Sequence, residues 1–349
     1  MKVSVVRPRE LGVGDLAAWR KMQNDTASLM SPFMSPEFAI AVDCVRADTR
    51  VAILTDGSQI VGFFPFQRRS PGLGSPVGSG INNWEGLVHV PGFECDAREL
   101  LKGCQLSVWH FDHLPDGQHP FGRFAASTSP SPVIGLSRGF PEYYEQLRTR
   151  SPKLCQTLGR KRRRMEEALG EVHLAVGCKD LSALRTLMAW KTDQCRRNNW
   201  SSPLDRPWVA DVFEYLLNAD SANFQSILSV MYAGDSPVSA HFDLRTGNTL
   251  AIWLLAYETS FSKWSPGMLH NIQLVEDAAL RGVTEVNFGR GTEQYKELLS
   301  TDTLTVARGI AFRQPLFKRS EAALSWAQRH RHLLPGGRTA LRYRRRVEG

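Results

Sequence analysis

His241 and Asp243 stand two residues apart in the run 238–245. If that run is extended, alternation puts both side chains on one face, where an imidazole and a carboxylate can act as a base and the partner that orients it. The alternative is a purely structural polar pair at a sheet edge. Further along, Trp264-Ser265-Pro266-Gly267-Met268-Leu269 opens a helical stretch. Pro suits the first position of a helix. The free N–H groups there attract an anion such as a pyrophosphate, which Gly267 would let approach the backbone. In the simpler alternative Pro266 starts the helix and Gly267 makes a turn.

Asn287-Phe288-Gly289-Arg290-Gly291 closes a short apolar strand, and Lys296 follows. Arg290 and Lys296 flank the strand end that carries Asn287, a place suited to an anionic substrate. Arg290 bonding only to its own loop is the alternative. Asn82-Asn83-Trp84-Glu85 ends a loop rich in Gly, Ser and Pro. Amides, an indole and a carboxylate together suit a sugar or nucleotide, unless Trp84 merely pins the loop. His110, Asp112, His113 and His119 invite a metal reading. An odd separation along a strand points His110 and His113 to opposite faces, so these histidines are read as structural and no metal is expected.

Elements must hold these residues, and the chain is long and apolar enough to build them. It has 349 residues, 42% hydrophobic and 22% charged, near the globular average, which excludes wholesale disorder and fibrous repeats. That length predicts two domains of roughly 150 residues, each with its own core. No apolar run approaches the ~18 residues that cross a bilayer. The opening Met1-Lys2-Val3-Ser4-Val5-Val6-Arg7-Pro8 breaks too early for a signal peptide, so a cytoplasmic location is expected. Six scattered cysteines without a C-x-x-C pair predict reduced thiols rather than a zinc framework.

The net charge of +8 is unevenly placed. Residues 150–164 carry seven basic side chains and no acid, and residues 329–349 carry seven Arg and one Glu. The remainder is mildly acidic. Basic stretches attract phosphate-rich ligands, acidic lipid or nucleic acid, or simply face solvent. The first stretch lacks interleaved aromatics, so stacking on bases is not suggested.

In the first half, strands are predicted near 3–7, 50–54 and 60–66, the last two joined at Asp56-Gly57. Asp15 is read as the cap of one helix, and a second helix covers 37–45. A loop is predicted over 70–80, a helix near 96–103, a strand near 106–111, and a connector containing a strand over 115–132. Residues 140–169 form a helical bridge with Leu154, Leu158, Met165 and Leu169 on one face. The second half is clearer. Helices over 180–197 and 207–218 precede strands over 224–233, 238–245 and 250–257, joined by short turns as an antiparallel meander. A helix over 267–280 ended by Gly282, a strand over 283–288, a helix near 292–299, a strand over 304–312 and a helix over 317–330 follow.

In that order of elements, residues 153–300 resemble the acetyltransferase domain of the GNAT superfamily. The branch is CelD/BcsL, associated with cellulose and exopolysaccharide biosynthesis. The resemblance is carried by Lys153-Leu154…Arg160-Lys161-Arg162-Arg163-Arg164-Met165, by Tyr257…Ser265-Pro266-Gly267-Met268-Leu269, and by Asn287-Phe288-Gly289-Arg290-Gly291…Tyr295-Lys296. The first half is similar more loosely, through Ser31-Pro32-Phe33…Ser35-Pro36-Glu37-Phe38 and Asn82-Asn83-Trp84-Glu85-Gly86. One departure stands out. The usual phosphate loop, Gln/Arg-x-x-Gly-x-Gly/Ala, here begins with Trp264 and ends with Leu269.

The resemblance implies an α/β (α+β) chain of two GNAT-like folds in tandem, with mixed, mostly antiparallel sheets flanked by helices. A degenerate domain would cover 1–139, an acetyltransferase-like domain 140–330, and a basic tail 331–349. The implied activity is transfer of an acyl group from acetyl-CoA or another acyl-CoA to a small-molecule or sugar-linked amine. Enzymes of this kind place a Tyr after the fifth strand to protonate the leaving thiolate, and Tyr295 occupies that place; a core Tyr is the alternative. Base candidates are His241 with Asp243, and Glu258 at the end of the meander. The same double fold occurs in Fem-type transferases, which use aminoacyl-tRNA, so nucleic acid is expected as a partner only in that case. A non-catalytic scaffold in polysaccharide synthesis is the third reading.

Overall fold

The computed structural model describes residues 1–314. Strand β1 (Lys2–Val6) leads through helices α1 (Val13–Asn24) and α2 (Pro36–Val45) to β2 (Thr49–Asp56) and β3 (Gln59–Ser70). Gly57, at φ 58°, makes the tight turn between β2 and β3, as its place beside Asp56 predicts. Then come β4 (Gly72–Ser75), β5 (Val88–His89), α3 (Ala97–Gly103), β6 (Leu106–Pro115), α4 (His119–Gly122) and β7 (Ala125–Gly135). The bridge is two helices, α5 (Gly139–Arg150) and α6 (Pro152–Leu169), because Pro152 cannot continue the hydrogen bonding of α5 and starts a helix instead.

The second half holds β8 (Val172–Cys178), α7 (Leu181–Arg197), α8 (Pro207–Leu216), β9 (Phe224–Ala233), β10 (Ser236–Thr246) and β11 (Thr249–Tyr257). After it come α9 (Pro266–Leu280), β12 (Glu285–Asn287), α10 (Gln294–Leu299) and β13 (Asp302–Phe312). The meander β9–β10–β11 forms as the turns predict. Asp180 caps α7 through the Ser182 N–H. Asp15, by contrast, sits inside α1, where its carboxylate reaches back to the Gly12 N–H at 3.0 Å. The loop predicted over 70–80 contains β4, whose small residues pair with β3 and β6. The helix predicted over 317–330 and the tail over 331–349 lie outside the described residues.

The strands form one sheet, ordered β1-β2-β3-β4-β6-β13-β7-β12-β11-β10-β9-β8, with the short β5 pairing off that order with β3. It is mostly antiparallel; the parallel pairs are β4–β6 and β11–β12. Strand β13 returns from the chain's second half and inserts between β6 and β7. The α/β fold with a large, mostly antiparallel sheet and flanking helices is the one expected.

The two faces of the sheet around β10 and β11 pack into separate cores. Ala240, Phe242 and Leu244 join α7, α8 and the first half's Trp19, Phe33 and Phe38. On the other face, Ile252 and Val286 pack on Leu274, Val275 and Ala278 of α9 and Tyr143 and Leu147 of α5. Each fully buried side chain of this kind contributes about 1.5–3 kcal/mol. All six cysteines are free. No described helix is long and apolar enough to cross a membrane.

Candidate functional site

The site is organised by two strands that begin together and part. Strands β11 and β12 pair in parallel only through Thr249–Glu285, Leu250–Val286 and Ala251–Asn287. Beyond that point β11 runs on to Tyr257, while the chain after β12 stays with β7 through Phe288 N–H to Pro132 O and Gly291 N–H to Pro130 O. The result is a split with exposed strand edges. Beside it β11 carries an extra residue opposite β10, since Phe242 faces Leu254 but Leu244 faces Ala251. Such a bulge re-aims backbone groups, and here the Trp253 N–H turns to Asp243 Oδ1 at 3.0 Å.

Helix α9 begins on one face of this split. Ser265, in the left-handed region at φ 54°, precedes Pro266 and Gly267. The Met268 and Leu269 N–H groups turn back to Ser265 O, leaving Gly267 at the tip of a turn with no carbonyls ahead of it. The Ser265 hydroxyl does not cap the helix; it accepts a 2.6 Å hydrogen bond from Lys161 Nζ on α6. A Cβ at Gly267 would touch only the Tyr257 ring, at 3.4 Å. The helix tip is therefore open, positive and flanked by an ammonium, which suits a phosphate. Trp264 and Leu269 turn inward to a core with Leu158 and Met165 of α6, and Met268 packs with them. The residues that depart from the usual phosphate loop thus dock the loop on the basic helix.

Under α9 lies a buried polar cluster. His241 and Asp243 are fully buried, with Nδ1 and Oδ2 3.7 Å apart. They sit in the middle of the sheet and not at its edge. His270 of α9 stacks on His241 at 4.0 Å and bonds to the Ser229 and Ser239 hydroxyls, each at 2.8 Å. Burial pushes Asp243 up and His270 well down, which favours the neutral forms of both. Tyr295 of α10 packs edge-on against Phe288, and burial, with Glu293 and Asp243 nearby, holds its hydroxyl well above the ordinary range. A protonated hydroxyl is available as a donor. Glu258 caps the turn after β11 through the Ser260 N–H at 3.2 Å.

The opposite face of β11 and β12 meets the first half. Asn83, Trp84 and Asn287 line a cleft of about 50 Å³ there. Glu85 turns away from it, accepting from the Asp112 and His113 N–H groups and from Asn82 Nδ2 at 2.8 Å. Glu85, Asp112 and His113 place ligand-type atoms within 4.8 Å of one another, but these bonds already use the Glu85 carboxylate. Arg290 donates to Asp112 O at 2.7 Å, tying its loop to β6. Lys296, 6% exposed, donates to Arg290 O at 2.9 Å and pairs with Glu293 at 3.0 Å. The structure thus brings Asn83, Trp84 and Asn287 together, with Arg290 and Lys296 bound into the loop beside them.

Residues 152–297 match the family described as acetyltransferase (GNAT) domain. This stretch is a GNAT acetyltransferase domain. The protein is accordingly an acyltransferase, of a class that takes acyl-CoA as co-substrate. No curated protein sequence matches the chain. Among solved structures, FemX is similar at 10% identity over 91% of this chain and 99% of its own, with a TM-score of 0.55. The C-terminal domain of a lysylphosphatidylglycerol synthetase from Agrobacterium fabrum is similar at 11% identity over 89% and 95%, with a TM-score of 0.51. These likenesses are of fold, and they run through both halves, beyond the GNAT domain alone.

Two residues of the GNAT domain escaped the sequence reading. Lys161 lies 104 positions from Ser265, and only its place in a basic run hinted at a role. Lys191 of α7 donates to Leu255 O at 3.4 Å on the strand that borders the split, and burial lowers its pKa. It carried no local signal, being one polar residue on an ordinary amphipathic helix.

Proposed function

We propose that this protein transfers an acyl group from acyl-CoA, acetyl-CoA foremost, to an amine. The observation that carries this reading is the split between β11 and β12, with an open helix tip on one face and a cleft on the other. The tip at Ser265, Gly267 and Lys161 would hold the pyrophosphate, and the split the thioester. The acceptor would enter from the cleft between the halves, 1–139 and 140–330. Acyl-CoA supplies an activated acyl thioester when bound. Tyr295 would protonate the departing sulfur, and His241, oriented by Asp243, would take the proton shed by the amine; Glu258 is the alternative base. The motifs at 160–165, 265–269 and 287–296 support the branch linked to polysaccharide synthesis, with a small-molecule or sugar-linked amine as acceptor, and the six scattered cysteines support work in the cytoplasm.

A second reading is favoured by the FemX-like fold of the whole chain together with the basic helix α6: an aminoacyl-tRNA donor. Calorimetric titration with coenzyme A and with charged tRNA separates the two. Binding of coenzyme A is expected; tight binding of charged tRNA alone overturns the first reading, and binding of neither supports a scaffold.

A further inference from the structure

The cleft between the halves contains a carboxylate that no described residue neutralises. Glu285 is half-buried at the first paired position of β12, opposite Thr249, and lines the cleft with Met30, Phe33, Trp84, Ala251 and Asn287. Its carboxylate makes no hydrogen bond or ion pair with any described residue. Its charged neighbour is Asp302, a second carboxylate, and together with burial this pushes its pKa up. A half-buried carboxylate with a second carboxylate in electrostatic reach, and with an indole and two amides lining the same cleft, is a poor place for an anion and a good one for a cation.

The cleft also reaches the chemistry. Ala251 and Asn287 are the last paired residues before β11 and β12 part, and both line it. A molecule seated there meets the split from the side opposite α9. An ammonium held against a carboxylate stays protonated and has no lone pair for attack. The nitrogen that is acylated must therefore be a different one.

We infer that the acceptor carries two basic nitrogens, one anchored as an ammonium at Glu285 and the other presented to the split. In the transfer the free nitrogen forms the C–N bond, and the C–S bond of the thioester breaks. The nitrogen sheds its proton to the base and the sulfur takes one from the acid, giving the amide and a free thiol. The anchoring rests on the cleft alone; the word acceptor rests on the acyl-transfer reading.

The test uses the full chain and a graded set of probes: 1,3-diaminopropane, 1,4-diaminobutane and 1,5-diaminopentane, with 1,4-butanediol as the uncharged match. Calorimetry without coenzyme A is expected to show saturable binding of at least one diamine and none of the diol. Glu285→Gln should weaken that binding by at least ~10-fold. Glu285→Asp, which keeps the charge, should retain most of it. Failure of every diamine to bind, or equal binding by Glu285→Gln shown to be folded by circular dichroism, overturns the inference. Glu285-dependent diamine binding in a protein that ignores coenzyme A keeps the cation site and removes the acyl-transfer reading. Coenzyme A binding without diamine binding does the reverse.

Discussion

Each half of the molecule buries a polar cluster that sets an acid beside a histidine, and the two are built on opposite terms. Around Glu85, both carboxylate oxygens are used, one by the Asp112 and His113 N–H groups and the other by Asn82. Around His241, both ring nitrogens and Asp243 Oδ2 make no hydrogen bond, although Nδ1 and Oδ2 face each other at 3.7 Å. A buried polar group left unpaired costs about 1–3 kcal/mol, so a fold tolerates it where something else requires it. The paired cluster holds the end of β6 and, through Asp112, Arg290. The unpaired one lies beneath α9, among the residues proposed above to move a proton. The carboxylates of the two clusters thus differ in how fully they are hydrogen-bonded, although both clusters contain a buried acid and a histidine.

The sharpest way to break this contrast is at the donor of the last proton. Tyr295→Phe is expected to lower turnover by about 10²-fold or more, with coenzyme A affinity unchanged, since only protonation of the sulfur is lost. Thiol release from acetyl-CoA alongside calorimetry measures both. Unchanged turnover would take Tyr295 out of the mechanism. His241→Ala should have the next largest effect, roughly 10-fold or more on turnover, and should change the shape of the pH–rate profile. A profile identical to wild type would leave Glu258 or water as the base and reduce the unpaired cluster to a packing defect.

Gly267→Val tests the other face of the site. It adds a β-branched side chain where a phosphate would approach, in a place where the fold has room, with only the Tyr257 ring in reach. Coenzyme A affinity should fall by at least ~10-fold, about 1.4 kcal/mol, with the circular dichroism spectrum unchanged. A folded variant that binds coenzyme A as tightly as wild type removes the pyrophosphate from this helix tip.

These residues were legible to different depths in the sequence, for physical reasons. The meander, the Pro266-Gly267 helix start and the shared face of His241 and Asp243 follow from turns and alternation, which are local. Local patterns say nothing of pairing across a hundred residues. Hence β13 between β6 and β7, Lys161 beside Ser265, and the joint lining of one cleft by Trp84 and Glu285 emerge only in the fold. Glu85 shows the same limit: its loop composition suggested ligand binding, yet its carboxylate is spent on two main-chain N–H groups 27 and 28 positions away.

The smallest effect is expected from the paired cluster, and its sign is set by Glu85. Burial, reinforced by Asp112 and opposed by His113, pushes this carboxyl from 4.5 up to about 7. The unfolded chain loses that proton near the ordinary value, so between about pH 4.5 and pH 7 the folded state holds a proton that the unfolded state does not. Stability therefore falls as pH rises through this window and levels off above about pH 7. The full change is on the order of 3 kcal/mol. Glu85→Gln removes the titration while keeping an oxygen for the Asp112 and His113 N–H groups. Its amide can donate to Asn82 Oδ1, which has no partner in the wild type, once the Asn82 amide turns over. Urea unfolding at intervals from about pH 5 to pH 8 should show the slope in the wild type and most of it gone in the variant, with turnover the same in both. Equal slopes would mean that Glu85 is already ionised in the folded state, its hydrogen bonds outweighing its burial. A loss of turnover would place this cluster in the chemistry as well, and the contrast between the two halves would no longer hold.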